Sequence, residues 1–217
     1  MQVSNSISTK TGIAPSNAIT SAVATNVNGV VIAAPAEHHS KIAKSSLEAK
    51  KHVFVEKPLC LMQEELDDII GQLRCNPDLK LSSNLILRKT PRFIELRERL
   101  QSGALGVPYY WEGDYDYGRL HKITEGWRGQ IPYYSVVHGG AIHLLDLIWW
   151  LSGKKVLRVH SIGNNLATEN TKYKRQSLVT SILDLDDGST AKVSANFASV
   201  VPHHHKLSVY GTEGTFE

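Results

Sequence analysis

Two cysteines, Cys60 and Cys75, are all that the 217 residues contain. They form no C-x-x-C pair and match no metal-ligand spacing, so the sequence argues against a disulfide framework or a cysteine-held zinc and suggests two reduced thiols. No apolar run reaches the ~18 residues that a membrane-spanning helix needs. The segment Met1 to Ser6 lacks the apolar core of a secretory signal. The formal net charge is only +3 and no block of five or more Lys and Arg occurs, so nucleic acid is not an expected partner. Internal repeats and low-complexity tracts are also lacking. What remains is an ordinary globular composition, 41% hydrophobic and 21% charged, long enough for one large domain or two small ones. A cytoplasmic protein is expected.

The first 25 or so residues are rich in Ser, Thr, Asn and Ala, with a short helix expected over 15–24. Gly29 to Ala34 is a continuous apolar run ending in Pro35, the pattern of a parallel strand buried on both faces. Ile42, Ala43, Ser46 and Leu47 then fall on one face of a helix expected over 39–50. His52 to Val55 is the next strand, which completes a β-α-β unit. A helix over 63–73 with an acidic first turn and a strand over 79–87 finish an α/β half-sheet. Beyond Arg88 the character changes. A helix is expected over 90–102 and an apolar one over 141–151, with antiparallel strands over 176–185, 190–197 and 205–210. The fold class expected is α/β: a partial parallel-sheet domain over 1–88, then an α+β domain with a largely antiparallel open sheet over 89–217.

Lys57 stands between Glu56 and Pro58 at the end of the apolar strand. A lysine there reads either as a solvated exit turn or as an ammonium delivered to the ligand crevice at the carboxyl edge of a sheet. His143, with Asp146 three residues on and His138 five residues before, suits acid-base work or packing between Trp149 and Trp150. His203, His204 and His205 are adjacent; alternation on a strand sends neighbours to opposite faces, which argues against one shared metal ion. Aromatics from Tyr109 to Tyr134 line a sugar or nucleotide-sugar cleft or cover a sheet face. Trp127-Arg128, between Gly126 and Gly129, is the better exposed pair for ligand contact.

Several segments, in order, resemble the glucose–fructose oxidoreductase, inositol dehydrogenase and rhizopine catabolism group, Gfo/Idh/MocA. Val30 to His39 resembles its strand-Pro-x-x-x-His segment, and His52 to Pro58 its signature lysine turn. Asn84 to Arg88 followed by Pro91 is similar to its crossing into the second domain. His143-Leu144-Leu145-Asp146 with Gly153, and Tyr210 to Thr215, resemble its helix and strand-turn motifs. The resemblance implies a Rossmann domain for NAD or NADP, and hydride transfer between a sugar or polyol carbon and nicotinamide. It implies Lys57 and His143 as catalytic residues. Pro35, His39, Glu56 and Asn84 would join Lys57 at the dinucleotide, and Arg88, Trp127, Arg128, His138 and Asp146 would lie toward substrate. A homo-oligomer through the open sheet is also implied.

Three departures accompany it. No G-x-G-x-x-G stands near the start, so the pyrophosphate cradle is expected upstream of Met1 and residues 1–217 alone are expected to bind dinucleotide poorly. Gly139 stands where the group has an acidic residue four before the histidine, with His138 or Asp146 as compensating candidates. The group continues past Glu217, so the chain reads as a middle fragment. An alternative is a non-catalytic or truncated member whose open sheet face mediates oligomerisation.

Overall fold

A computed structural model describes residues 27–131 and 134–217. The helix expected over 15–24 lies outside the described residues. The chain divides into two compact units between Asn84 and Leu85.

In the first unit, β1 (Gly29–Ile32), β2 (His52–Val55) and β3 (Leu81–Ser83) form a parallel sheet in that order. Helix α1 (His39–Glu48) follows β1 and α2 (Gln63–Cys75) follows β2. Ile32, Val53 and Val55 meet Ala43 and Leu47 of α1 and Ile69 of α2 in one core. Both helices therefore cover the same sheet face, and alternation turns Val31 and Phe54 the other way, 60% and 40% exposed. That corrects the expectation of a β1 buried on both faces. Glu65 fixes the start of α2: its carboxylate accepts the N–H of Leu61 at 2.9 Å and of Met62 at 3.2 Å. The Ser40 hydroxyl of α1 donates to the same carboxylate at 2.7 Å, joining the two helices. The strand expected over 79–87 is cut to three residues. The Asn84 N–H makes the last ladder bond, to Val55 O, its side-chain amide bonds Glu56 at the β2 exit, and Ile86–Lys89 coils into a helical turn.

The second unit begins with α3 (Pro91–Gln101), whose proline occupies the first helical position, where no N–H is needed. Its six-stranded sheet has the order β5-β6-β7-β4-β8-β9. The strands are β4 (Pro108–Asp116), β5 (Val156–Asn164), β6 (Leu178–Leu185), β7 (Thr190–Asn196), β8 (His204–Gly211) and β9 (Thr215–Phe216). One central pair, β4 with β7, is parallel, so the sheet is mixed and mostly antiparallel. Sequence reasoning missed β5, an edge strand exposed along its whole length, because no buried face imposes alternation there. A one-turn α4 (His121–Thr124) lies in the loop after β4, and α5 (Ile142–Ser152) continues a wide helical turn, Val137–Ala141. Leu144 of α5 packs on β4 because Gly113 there has no side chain; a Cβ would come within 3.3 Å of it. Gly153 ends α5 in the left-handed conformation, φ 67°. Among the described residues no helix is long and apolar enough to cross a membrane.

Candidate active site

In the first unit the predicted residues gather at the carboxyl ends of the parallel strands. The Glu56 N–H donates to Ile32 O and the Asn84 N–H to Val55 O, each at 2.8 Å. The Asn84 amide also donates to the Glu56 carboxylate at 2.8 Å. Lys57 follows, half-buried, with a cis bond to the buried Pro58. Pro35 opens the helical turn after β1 and is exposed. Pro35, Glu56, Lys57 and Asn84 thus form one rim, an ammonium, a carboxylate and an amide at the sheet edge where nucleotides bind in open parallel sheets. This donor set fits the hydroxyl- and amide-bearing half of a dinucleotide. His39 differs from its expected place. Its ring is 1% exposed, with Nδ1 2.6 Å from Pro58 O and Nε2 2.8 Å from Ala34 O. Both nitrogens are committed to backbone, so the ring lies beneath the rim instead of lining it.

In the second unit His143 is 5% exposed and belongs to a cluster of rings. Tyr115 stacks on it at 6.2 Å between centroids, and His205 meets it edge-on at 5.4 Å. The register of β4 and β8 sets Tyr115 opposite His205, and the His203 ring lies 5.0 Å from that of His205. His204 turns the opposite way, its Nε2 3.4 Å from Asp116 Oδ2. The three adjacent histidines are thereby divided between the two faces. No group of three His, Cys, Asp or Glu side chains among the described residues is arranged to hold a metal ion.

Phe197, at the end of β7, stacks on Tyr115 at 5.6 Å, and Tyr134 is 7% exposed. Gly139 and Gly140 make this packing possible. A Cβ on Gly139 would lie 2.2 Å from the Tyr134 hydroxyl, and one on Gly140 would lie 2.5 Å from the Tyr115 ring. Burial pushes the hydroxyls of Tyr115 and Tyr134 well above the usual phenol range, with Arg128 nearby offsetting part of the rise. Both are therefore protonated donors at neutral pH.

The substrate-side candidates separate into distinct groups. Arg88 Nε donates to Asp146 Oδ2 at 2.8 Å and a second guanidinium nitrogen donates to Oδ1. This two-pronged pair gives Asp146 a partner that helix spacing does not show. His138 lies on the wide turn, Nδ1 3.2 Å from the Ser135 hydroxyl. Trp127 is 50% exposed and lies under the Arg128 guanidinium at 4.6 Å. Both line a cavity of about 350 Å³ with His121, Lys122 and Glu125. The residues that sequence reasoning assigned no role in the site are His203, His205 and Phe197. Two histidines two apart share a strand face, but only the three-dimensional packing, with Tyr115 opposite His205 and both rings on His143, says what that face meets.

Residues 93–217 match the GFO/IDH/MocA C-terminal domain, and residues 3–78 match the oxidoreductase family, NAD-binding Rossmann fold. The chain is 26% identical over 196 residues to myo-inositol 2-dehydrogenase of Thermotoga maritima, covering 87% of this chain and 55% of that protein. It is 26% identical over 198 residues to scyllo-inositol 2-dehydrogenase (NAD(+)) of Bacillus subtilis, covering 87% and 54%. The chain thus spans about half the length of these relatives. Its fold is that of myo-inositol 2-dehydrogenase from Lactobacillus plantarum, with a TM-score of 0.85 at 20% identity, covering 91% of this chain and 59% of the other. Scyllo-inositol dehydrogenase from Lactobacillus casei, solved with NAD(H) and scyllo-inositol, gives a TM-score of 0.81 at 21% identity, with 91% and 59% covered.

Proposed function

The chain belongs to the GFO/IDH/MocA oxidoreductase family, and on that premise we propose that the full-length protein is an NAD(P)-dependent dehydrogenase of a polyol or sugar-derivative hydroxyl. A cyclic polyol of the inositol class is the substrate that the relatives favour. The observation that carries the reading is the lysine turn: a half-buried lysine following the carboxyl end of a parallel strand, with its neighbour Glu56 bonded to Asn84. Nicotinamide, when bound, supplies the hydride acceptor or donor. Lys57 donates a hydrogen bond to the reacting hydroxyl oxygen and stabilises the negative charge that develops there. His143 takes the hydroxyl proton in oxidation and returns it in reduction. Tyr115 and His205 hold the imidazole plane by packing on it. Pro35, Glu56 and Asn84 border the dinucleotide. We assign substrate contact to Arg88, which Asp146 fixes, and to Trp127, Arg128 and His138.

The test is reduction of NAD+ or NADP+ by the full-length protein, followed at 340 nm with neutral polyols and sugars. An inositol should be oxidised, and deuterium at the reacting carbon should pass to the nicotinamide. Binding of NAD(H) with no turnover of any polyol or sugar would overturn the reading. We also propose that a second copy of the chain covers the open sheet face, where Ile162 and Ile182 are 72% and 40% exposed. Light scattering on the eluted protein should give a mass of at least two chains; a monomer would remove that part.

A further inference from the structure

The mechanism above uses Lys57 but leaves its placement to the turn that carries it. Three strands' ends hold that turn at Val55 and Glu56, through Ile32 O, the Asn84 N–H and the Asn84 amide. Past the lysine, the Pro58 carbonyl is held by the His39 ring at 2.6 Å, and the other ring nitrogen reaches Ala34 O at the β1 exit at 2.8 Å. We infer that His39 is a positioning residue for Lys57, tying the far side of the lysine turn to the exit of β1. This inference rests on the reading that Lys57 acts on substrate.

The geometry supports a tether over the other uses of a buried histidine. Both nitrogens face carbonyl oxygens, which only accept: a neutral ring donates to one of them and an imidazolium to both, and in either form backbone occupies both polar edges of the ring. No metal-holding group of three side chains occurs among the described residues. At 1% exposure the ring, carried by the first residue of α1, is enclosed, and its two contacts join that helix, the β1 exit and the turn. A lysine displaced by about 1 Å is enough to cost about a hundredfold in rate.

The two contacts can be separated by substitution. An asparagine amide reaches the position of Nδ1 and can still hold Pro58 O, whereas a glutamine amide reaches that of Nε2 and can hold only Ala34 O. In the full-length protein with NAD+ and myo-inositol, His39→Ala should lower kcat about a hundredfold. His39→Asn should restore most of that loss, and His39→Gln should not. The KM for either substrate should move by less than about threefold in all three variants, because uniform binding is untouched. Melting temperatures of the Asn and Gln variants should fall together. Amide exchange over residues 55–61 should speed up in the Gln variant and stay near wild type in the Asn variant, a readout that needs no turnover. Asn and Gln variants that match in both exchange and kcat, with losses following melting temperature, would overturn the inference. Lys57→Met in the same assay separates the two layers. If that variant keeps wild-type turnover, the role given to Lys57 fails, while the exchange data still judge the tether.

Discussion

The lysine turn and the histidine helix are held by different physics. Around Lys57 the contacts are directional: strand ends, an amide on a carboxylate and a buried imidazole on two carbonyls. Around His143 they are contacts of shape, with Tyr115, His205 and Phe197 packed edge and face and two glycines making the room. A hydrogen bond fixes one atom at one distance, whereas a ring wall fixes an orientation only while its volume is filled. The first unit should therefore respond to the loss of a donor and the second to a change of volume.

The largest effect expected from that contrast is in the second unit. Leu144 is fully buried against Gly113, and Leu144→Ala should destabilise by about 2–5 kcal/mol in denaturant unfolding. Gly140→Ala follows. Its methyl would lie 2.5 Å from the Tyr115 ring, so about 1–3 kcal/mol of overpacking is expected, with a fall in kcat as the ring leaves His143. Asn84→Leu tests the other side. Removing the donor on Glu56 should cost about 1–2 kcal/mol and alter turnover more than a core change of equal cost. A Gly140→Ala enzyme with normal turnover, or an Asn84→Leu enzyme with normal stability, would break the contrast.

The smallest effect concerns pH. Burial alone would raise the Glu65 carboxyl, but the Ser40 hydroxyl and the N–H groups of Leu61 and Met62 hold it below its ordinary 4.5. A carboxyl depressed on folding contributes stability that is present above the unfolded value and is lost as pH falls through the folded one. Acid unfolding of the wild type should steepen below about pH 4.5, and Glu65→Gln should flatten that limb. An unchanged acid limb would mean that the cap contributes nothing.

The same contrast explains what could be read from the sequence. The β-α-β unit and the rim of Pro35, Glu56, Lys57 and Asn84 lie within 56 consecutive residues, 29–84; periodicity gives the strands and helices and the strand end gives Glu56 and Lys57, while Pro35 and Asn84 are singled out only by the family resemblance. His52 to Val55 was readable as a strand to the residue. The wall around His143 draws on positions 115, 197, 203 and 205, a ring cluster centred on the pairing of Tyr115 with His205, which no local pattern encodes. The Arg88–Asp146 pair is hidden for a related reason. Three residues from His143 on a helix, Asp146 lies within reach by spacing, yet its partner is Arg88, 58 positions away. β5 was missed because a strand exposed on both faces has no buried side to alternate against. The short β3 was overread because the apolar run of Leu85 to Leu87 continues past the point where Asn84 turns aside to Glu56.

The most direct measurement replaces the lysine itself. In the full-length protein, Lys57→Met should lower kcat with NAD+ and myo-inositol by about a thousandfold. The dissociation constant for NADH, measured by calorimetry on the same preparation, should stay within about threefold of wild type. Turnover within about tenfold of wild type would contradict the account, since it would leave the ammonium at the sheet edge without a part in the chemistry.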